Sequence, residues 1–347
     1  MKATICIPTR NQVQYLEQSV VSACNQTMSC LVHVSDDAST DMTPELLASL
    51  CQMHPSLRQT RHEINLGLAA NHRWLLQGVS TPYVAILHSD DHLERAYIEK
   101  LVELLEANPR AGYAHADAHE IDREGRVIKR RYLSRVPGYQ GPEESLRSMA
   151  TGYRVAANIC LFRTEALRNV GFHKNDMNFA EDWDLAVRLA DAGWGNVYSN
   201  EVLASYRVWS DTAGYREGRK ATELAGIRRV FSESLEPAFV SRGWNATMLR
   251  RARRKLALNH ALFLCRVPPE SEEYRKLLTL LMELGDSPAL RWKIKAIGAG
   301  LGPLLEAFTR IRGSALRGGK QLLFRSGLLS RPANLARGTP DPGSRQG

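Results

Sequence analysis

The stretch Tyr83–Asp91 reads YVAILHSDD and changes from apolar to acidic within a few residues. Its first five residues form a continuous apolar run, which is the pattern of a strand buried on both faces of a parallel sheet. The polar residues that follow mark the end of this strand and include the adjacent carboxylates of Asp90 and Asp91. In open α/β sheets ligands bind beyond the carboxyl ends of the strands, so the acidic pair lies where a ligand site is expected.

The same alternation of strand and helix patterns extends over roughly the first two hundred residues. Strands are predicted at Ala3–Ile7, Leu31–Val34, Thr60–Ile64 and Tyr83–Leu87. Helical spacing of apolar residues follows each strand, at Tyr15–Ala23, Pro44–Met53, Ala69–Gly78 and around Ile98–Leu105. Repeated strand–helix–strand units predict a doubly wound α/β fold with a central mixed, mostly parallel sheet flanked by helices.

After about residue 112 the pattern of strands and helices is less regular. Further strands are predicted at Gly112–Ala116, Glu120–Arg130, Asn158–Arg163 and Val197–Val208, and a helix at Glu181–Gly193. From Gly218 onward only helices with basic outer faces are predicted. The part from Arg216 to the C-terminus carries 25 Lys+Arg and 11 Asp+Glu, net +14, whereas the part before it carries 21 and 26, net −5. We therefore expect an α/β domain at 1–215, a basic helical C-terminal region at 216–336 and a flexible tail at 337–347.

The cysteines, the absence of apolar segments long enough to span a membrane, and the charge limit the classes of protein to which this chain can belong. The six cysteines show no Cys-x-x-Cys pairing and several lie inside apolar runs, which predicts core residues in a reducing compartment, not disulfides or a zinc site. No secretory signal and no apolar run of about 20 residues is present, so we expect a cytoplasmic protein. The sequence pI of about 9.3 raises nucleic-acid binding, but no nucleic-acid module is recognisable and this partner is disfavoured.

Three polar clusters follow predicted strands: Pro8–Asn11, Asp36–Asp41 and Ser89–Asp91. Glycine-rich phosphate-binding loops are absent, so a bound diphosphate needs a cation, and Asp90 and Asp91 offer the oxygen ligands that divalent metals prefer. For this pair alone a helix cap is the more common explanation, with Asp91 capping a helix that begins near Leu93. Adjacent Asp36 and Asp37 repel each other unless a partner such as a nucleobase N–H bridges them.

A further acidic segment, Glu181–Asp184, opens a predicted helix. An acidic first turn is favoured by the helix dipole without any function. A carboxylate here can equally act as a general base, with Trp183 stacking on a sugar face. The segment alone does not distinguish the two interpretations.

Five segments taken together resemble the inverting family 2 glycosyltransferases, which have the GT-A fold: Ile7–Asn11, Ser35–Asp41, Asn65–Asn71, Leu87–Asp91 and Ala180–Leu185. Their order and spacing match over residues 1–215, and the C-terminal third is not covered. A set of five ordered motifs is a more specific signal than any single short pattern.

The resemblance implies a role for each matching residue. The nucleotide would be bound by Pro8, Thr9, Asn11, Asp37, Asn65, Gly67, Asn71 and Asp90, with Asp90 towards the ribose. Asp91 would bind Mn²⁺ or Mg²⁺, Asp182 would be the catalytic base, and Glu181, Trp183 and Arg207 would contact the sugar, the acceptor or phosphate. Two departures from the family pattern are the missing third acid beside Asp91 and Trp209, which stands where many members carry a histidine.

The implied reaction moves a sugar from a UDP- or dTDP-sugar to a hydroxyl of a glycan or lipid-linked acceptor, with inversion. The resemblance places it in the synthesis of bacterial surface polysaccharide or lipopolysaccharide. Two alternatives are a nucleotidyltransferase on a related sheet, and a non-catalytic protein that tethers membrane or nucleic acid. Residues 249–330 mix basic and apolar positions, which suits contact with an anionic membrane at the inner face of the cytoplasmic membrane. The same pattern also suits helices packed on the catalytic domain.

Overall fold

The computed structural model describes residues 1–153, 155, 159–174, 176–177, 179–208 and 218–308. Outside these residues lie Trp209, which replaces the histidine of many family members, the expected tail and the end of the basic region. Within them, ten strands form one mixed sheet in the order β3-β2-β1-β4-β9-β6-β10-β5, with β7 beside β6 and β8 beside β10. The strands are β1 (Ala3–Thr9), β2 (Leu31–Asp36), β3 (Leu57–Arg61), β4 (Tyr83–Ile86), β5 (His92–Leu93), β6 (Ala111–Ile121), β7 (Val127–Arg131), β8 (Gly138–Gln140), β9 (Cys160–Arg163) and β10 (Gly195–Arg207).

The first four strands are parallel and form the nucleus of the sheet. β1 lies between β2 and β4, and β3 pairs with β2. Every residue of β1 and β4 is buried, because helices cover both faces of the sheet. The helices α1 (Val13–Cys24), α2 (Thr43–Met53) and α3 (Leu68–Gln77) connect these strands. The carboxyl ends of β1, β2 and β4 therefore meet at one edge, as predicted.

The second half of the sheet is mixed. β9 runs antiparallel between β4 and β6, while β10 runs parallel to β6 along a ladder interrupted by bulges. The parallel ladders are the longest ones, which confirms the predicted mixed, mostly parallel sheet. Four helices flank this half: α4 (Tyr97–Ala107), α5 (Pro142–Met149), α6 (Thr164–Val170) and α7 (Glu181–Asp191).

Two local predictions were wrong. The third strand lies at Leu57–Arg61, upstream of the predicted Thr60–Ile64. The helix predicted near Leu93 begins at Tyr97, because His92 and Leu93 instead pair with the end of β10 as the short edge strand β5. Asp91 therefore does not cap a helix, and helix capping does not explain the acidic pair.

The C-terminal helices pack on the α/β part through a shared apolar core. They are α8 (Lys220–Arg229), α9 (Glu236–Ser241), α10 (Thr247–His260), α11 (Glu272–Gly285) and α12 (Pro288–Ala296), joined by short 3₁₀ and π segments. Their buried residues belong to the same cluster as Trp183 and Leu189 of α7. At Gly226 in α8 a Cβ would lie 2.3 Å from the carbonyl oxygen of Phe179, so only glycine allows this close approach.

The basic region was expected either to contact a membrane or to pack on the catalytic domain, and its first helices do pack on the rest of the protein. Leu249, Ala252 and Leu264 are buried, so the apolar face of the first part of 249–330 packs on the protein. Among the described residues of 249–330, the large apolar side chains that are exposed lie farther along, at Trp292, Leu301, Leu304 and Phe308. All six cysteines are free. In the part of the chain that the structure describes, no helix has the length and hydrophobicity to cross a membrane.

Candidate active site at the carboxyl edge of the sheet

The loop after β4 buries one carboxylate of the acidic pair. Asp91 is 2% exposed, and its Oδ1 accepts a hydrogen bond of 2.8 Å from the backbone N–H of Arg207. Its Oδ2 is buried and has no hydrogen-bond partner among the described residues. Burial, reinforced by the charge of Asp90, raises the pKa of Asp91 to about 7. A buried carboxylate oxygen without a partner is costly unless a cation or a donor binds there.

Arg207 at the end of β10 holds this loop in place. Its guanidinium donates from Nε to the Asp90 carbonyl at 2.9 Å and from Nη2 to Gln18 Oε1 at 2.9 Å. Nη1 donates to the carbonyl oxygens of Asp122 and Arg123 at 2.6 and 2.9 Å. The residue is 3% exposed. The expected phosphate contact does not fit this placement, because the guanidinium is buried and committed to the protein. Arg207 is a positioning residue for the acidic loop.

Asp37 after β2 ties down the neighbouring loop. Its two carboxylate oxygens accept from the backbone N–H groups of Leu66 and Gly67, at 2.6 and 3.0 Å. Asn65 Oδ1 accepts from the same Gly67 N–H at 3.0 Å. Gly67 has φ +85°, a conformation that favours glycine. The two acidic Asp37 oxygens are thus bridged by backbone donors, and the loop of Asn65 and Gly67 lies beside them.

The other expected nucleotide-binding residues frame this same corner. Thr9 is buried at the end of β1, after buried Pro8, and its hydroxyl has no partner among the described residues. Asn11 Oδ1 accepts from the Thr40 N–H at 2.8 Å, which joins the loops after β1 and β2. Asn71 is buried and exchanges hydrogen bonds with Ser35, so it joins the start of α3 to the end of β2.

Asp182 lies in the first turn of α7, where the helix dipole favours a negative charge. Its Oδ1 lies 3.2 Å from Nε2 of His173, and a quarter of its side chain (25%) is exposed. Burial, then the charge of Asp182, raises the pKa of neighbouring Glu181, while His173 and His88 act in the opposite direction. Trp183 does not fit the expected stacking role, because it is 5% exposed and packs edge-on against Phe231 in the core.

A row of three histidines, which the sequence motifs did not predict, connects the two acidic sites. The ring centroids of His72 and His88 are 5.6 Å apart, and those of His72 and His173 are 6.2 Å apart. At the ends of the row, His88 Nδ1 lies 4.0 Å from Asp91 Oδ2 and His173 contacts Asp182. The sequence carried one signal of it, since His88 stands in the loop directly before Ser89.

The row therefore brings Asp91 and Asp182, far apart in the chain, to one edge of the sheet. His88, Asp90 and Asp91 place one possible ligand atom each within 4.8 Å of one another, and these are donors that fit a divalent cation. Asp182 lies at the other end of the row, and its partly exposed carboxylate is a candidate proton acceptor.

Comparisons with known proteins identify the family of the N-terminal part of the chain. Residues 4–171 match the family model Glycosyl transferase family 2, so this part of the chain belongs to the family 2 glycosyltransferases. The matched segment ends before Asp182. The chain is 29% identical to chondroitin synthase of Escherichia coli over 192 residues, 55% of this chain and 26% of that protein. It is 26% identical to hyaluronan synthase of Pasteurella multocida over 191 residues, 55% of this chain and 19% of that protein.

Solved structures confirm the GT-A fold. S. aureus TarS 1–349 in complex with UDP-GlcNAc superimposes with a TM-score of 0.54 at 13% identity, covering 86% of this chain and 92% of that one. Mannosyltransferase PcManGT from Pyrobaculum calidifontis, in complex with GDP-Man and Mn²⁺, has a TM-score of 0.52 at 19% identity, covering 84% and 86%. Together with the family match over residues 4–171, this fold shows that the chain carries a glycosyltransferase domain, and the nucleotidyltransferase alternative loses its support.

The buried Asp91 generates a prediction about stability and pH. Its pKa in the folded protein, about 7, exceeds the ordinary value of 3.8, so the unfolded chain gives up this proton first as pH rises. The free energy of unfolding should therefore fall between about pH 4 and pH 7. Asp91→Asn removes this cost, and in EDTA it should raise the melting temperature by several degrees at pH 8 and much less at pH 5.

Thermal unfolding at the two pH values measures this, with Asp191→Asn at the exposed end of α7 as the matched control. The control should show no such difference between the two pH values. If Asp91→Asn were less stable than the wild-type protein at pH 8, the claim that the Asp91 carboxylate is buried without a compensating partner would be wrong.

Proposed function

We propose that this chain is an inverting glycosyltransferase that moves a sugar from a UDP- or dTDP-sugar to a hydroxyl of a glycan or lipid-linked acceptor. The observation that carries this proposal is the histidine row, which links a buried acidic loop to the carboxylate of Asp182. A transferase of this kind needs a cation site for the diphosphate and a proton acceptor nearby.

The donor nucleotide would bind where the loops after β1, β2 and β4 meet. Asp37 and the loop of Asn65 and Gly67 form one wall of this corner, and Thr9 and Asn11 form the other. Asp90 would face the ribose. The solved neighbours in complex with UDP-GlcNAc or GDP-Man support a nucleotide-sugar as the donor class.

Asp90 and Asp91 would hold Mn²⁺ or Mg²⁺ beside the diphosphate. The unpartnered Oδ2 of Asp91 and the short distances within the cluster support this assignment. When bound, such a cation neutralises the charge that develops on the leaving nucleoside diphosphate. Arg207 would keep the loop in its binding geometry through the bonds it donates to the backbone.

Asp182 would take the proton of the acceptor hydroxyl. The acceptor oxygen would form a bond to the anomeric carbon while the bond from that carbon to the diphosphate oxygen breaks on the opposite face, which inverts the configuration. His173 is buried and contacts one oxygen of Asp182, so it would orient the carboxylate and leave the other oxygen for the acceptor. Glu181 would border the same space.

The proposed acceptor and pathway are inferred from the similar polysaccharide synthases. The chain spans about a quarter or less of the length of the chondroitin and hyaluronan synthases that it matches. We propose the synthesis of a bacterial surface polysaccharide or lipopolysaccharide, in the cytoplasm, at the inner face of the cytoplasmic membrane. A lipid-linked acceptor would be reached from that surface.

Membrane contact would use the end of α12 and the helical turns at 297–308, not the whole basic region. Trp292, Leu304 and Phe308 are each more than 60% exposed, and the exposed cation Lys295 lies nearby, whereas Arg291 is paired with Asp286. Apolar side chains flanked by cations are typical of helices that lie on anionic lipid.

The base assignment predicts that Asp182→Asn loses transfer but keeps nucleotide binding. The loss should be roughly 10²- to 10⁴-fold, the usual contribution of a general base. Release of UDP or dTDP from a panel of UDP- and dTDP-sugars, with a bacterial lipid extract as acceptor, measures transfer, and calorimetry measures UDP binding. Asp191→Asn in the same helix is the control. Full transfer by the Asp182 variant would rule out the proposed base.

The membrane assignment predicts that replacing Trp292, Leu304 and Phe308 by serine together weakens binding to phosphatidylglycerol vesicles. Each of these side chains contributes about 1.5–3 kcal/mol when fully buried, so even partial insertion of the three is worth at least about tenfold. Co-sedimentation measures the change, with Val240→Ser, which removes an exposed apolar side chain elsewhere, as the control. Unchanged binding would remove this surface from the proposal.

A further inference from the structure

His88 adds a nitrogen donor to the acidic loop. It follows β4 directly, before Ser89 and the two acidic residues, and its side chain is 35% exposed. Its Nδ1 lies 4.0 Å from Asp91 Oδ2, the buried oxygen that has no partner among the described residues. The imidazole and the orphaned carboxylate oxygen therefore face each other across a gap.

The width of this gap fits one metal ion. Nitrogen and oxygen ligands lie about 2.1 Å from Zn²⁺ or Mg²⁺, so two ligands of one ion are at most about 4.2 Å apart. The distance between His88 and Asp91 is within that limit. The largest separation in the cluster, up to 4.8 Å, exceeds this limit slightly, and the side chain of His88, which is 35% exposed, has room to adjust.

His72 limits the other orientations of the His88 ring. The two rings are tilted by 33° with centroids 5.6 Å apart, and His72 is 6% exposed. The His88 imidazole is thus backed by a buried ring on one side and by Asp91 on the other. A hydrogen bond between His88 Nδ1 and Asp91 would need a shorter distance than the observed 4.0 Å.

We propose that His88 ligates the divalent cation through its imidazole nitrogen, so that the site has mixed nitrogen and oxygen donors and selects transition-metal ions over Mg²⁺. This inference rests on the proposed cation site of Asp90 and Asp91 and adds its metal preference. Imidazole is a good ligand for first-row transition metals, whereas Mg²⁺ prefers carboxylate, carbonyl and water oxygens. Affinity for such mixed sites rises from Mn²⁺ to Co²⁺ along the first-row series.

The direct test detects the nitrogen ligand. Pulsed electron paramagnetic resonance of Mn²⁺ bound to the full chain with UDP should show ¹⁴N coupling from one imidazole. The coupling should disappear in His88→Asn and in His88→Asp and persist in His54→Gln, a histidine at the far end of α2. Thermal unfolding of each variant checks that it is folded. Coupling that persists in a folded His88 variant, or its absence in the wild-type protein, would overturn the proposal.

Metal selectivity provides a second readout. We expect the ratio of Co²⁺ to Mg²⁺ affinity, measured by calorimetry with UDP present, to fall at least about tenfold in His88→Asp. Even residues that only orient metal ligands are worth about tenfold, so the loss of a ligand should cost no less. Tight cation binding with an unchanged ratio overturns the role of His88 alone. Absence of any cation binding in the wild-type protein overturns the cation site of the proposed function as well.

Discussion

The buried carboxylate of Asp91 is the constraint around which the candidate site is organised. One of its oxygens is held by the backbone N–H of Arg207 and the other has no partner among the described residues. The guanidinium of Arg207 in turn joins the loop after β4 to the turn after β6 and to α1. A carboxylate buried in this way destabilises the folded protein when it is ionised, unless a cation binds beside it, and this is the arrangement expected of a metal site.

Much of the fold could be predicted because its central strands are continuous apolar runs. β1 and β4 are buried on both faces, so burial and sequence pattern coincide, and the edge that collects their carboxyl ends follows from the parallel topology. The short strand β5 could not be predicted, since His92 and Leu93 are extended only by pairing with the distant β10. The role of Arg207 could not be predicted either, since this residue contacts a loop more than a hundred residues earlier in the chain.

The candidate site also contains residues that the sequence could predict and residues that it could not. The carboxylates stand in local motifs and could be named from the sequence, whereas the histidine row is built by tertiary contacts between three separate segments. Trp183 shows why a residue next to a functional one need not share its role. In α7 it points into the core towards Phe231, while Asp182, one position earlier, lies at the partly exposed edge. Helical periodicity separates neighbours onto different faces.

The most direct measurement of the central claim is anomalous scattering from Mn²⁺ in crystals of this protein grown with UDP. A cation held by the acidic loop should give one strong peak beside the carboxylates of Asp90 and Asp91, within about 2.2 Å of a ligand oxygen and in contact with the diphosphate. UDP bound at this edge without a manganese peak at the acidic loop would contradict the account, as would a peak that leaves the Oδ2 of Asp91 without a partner.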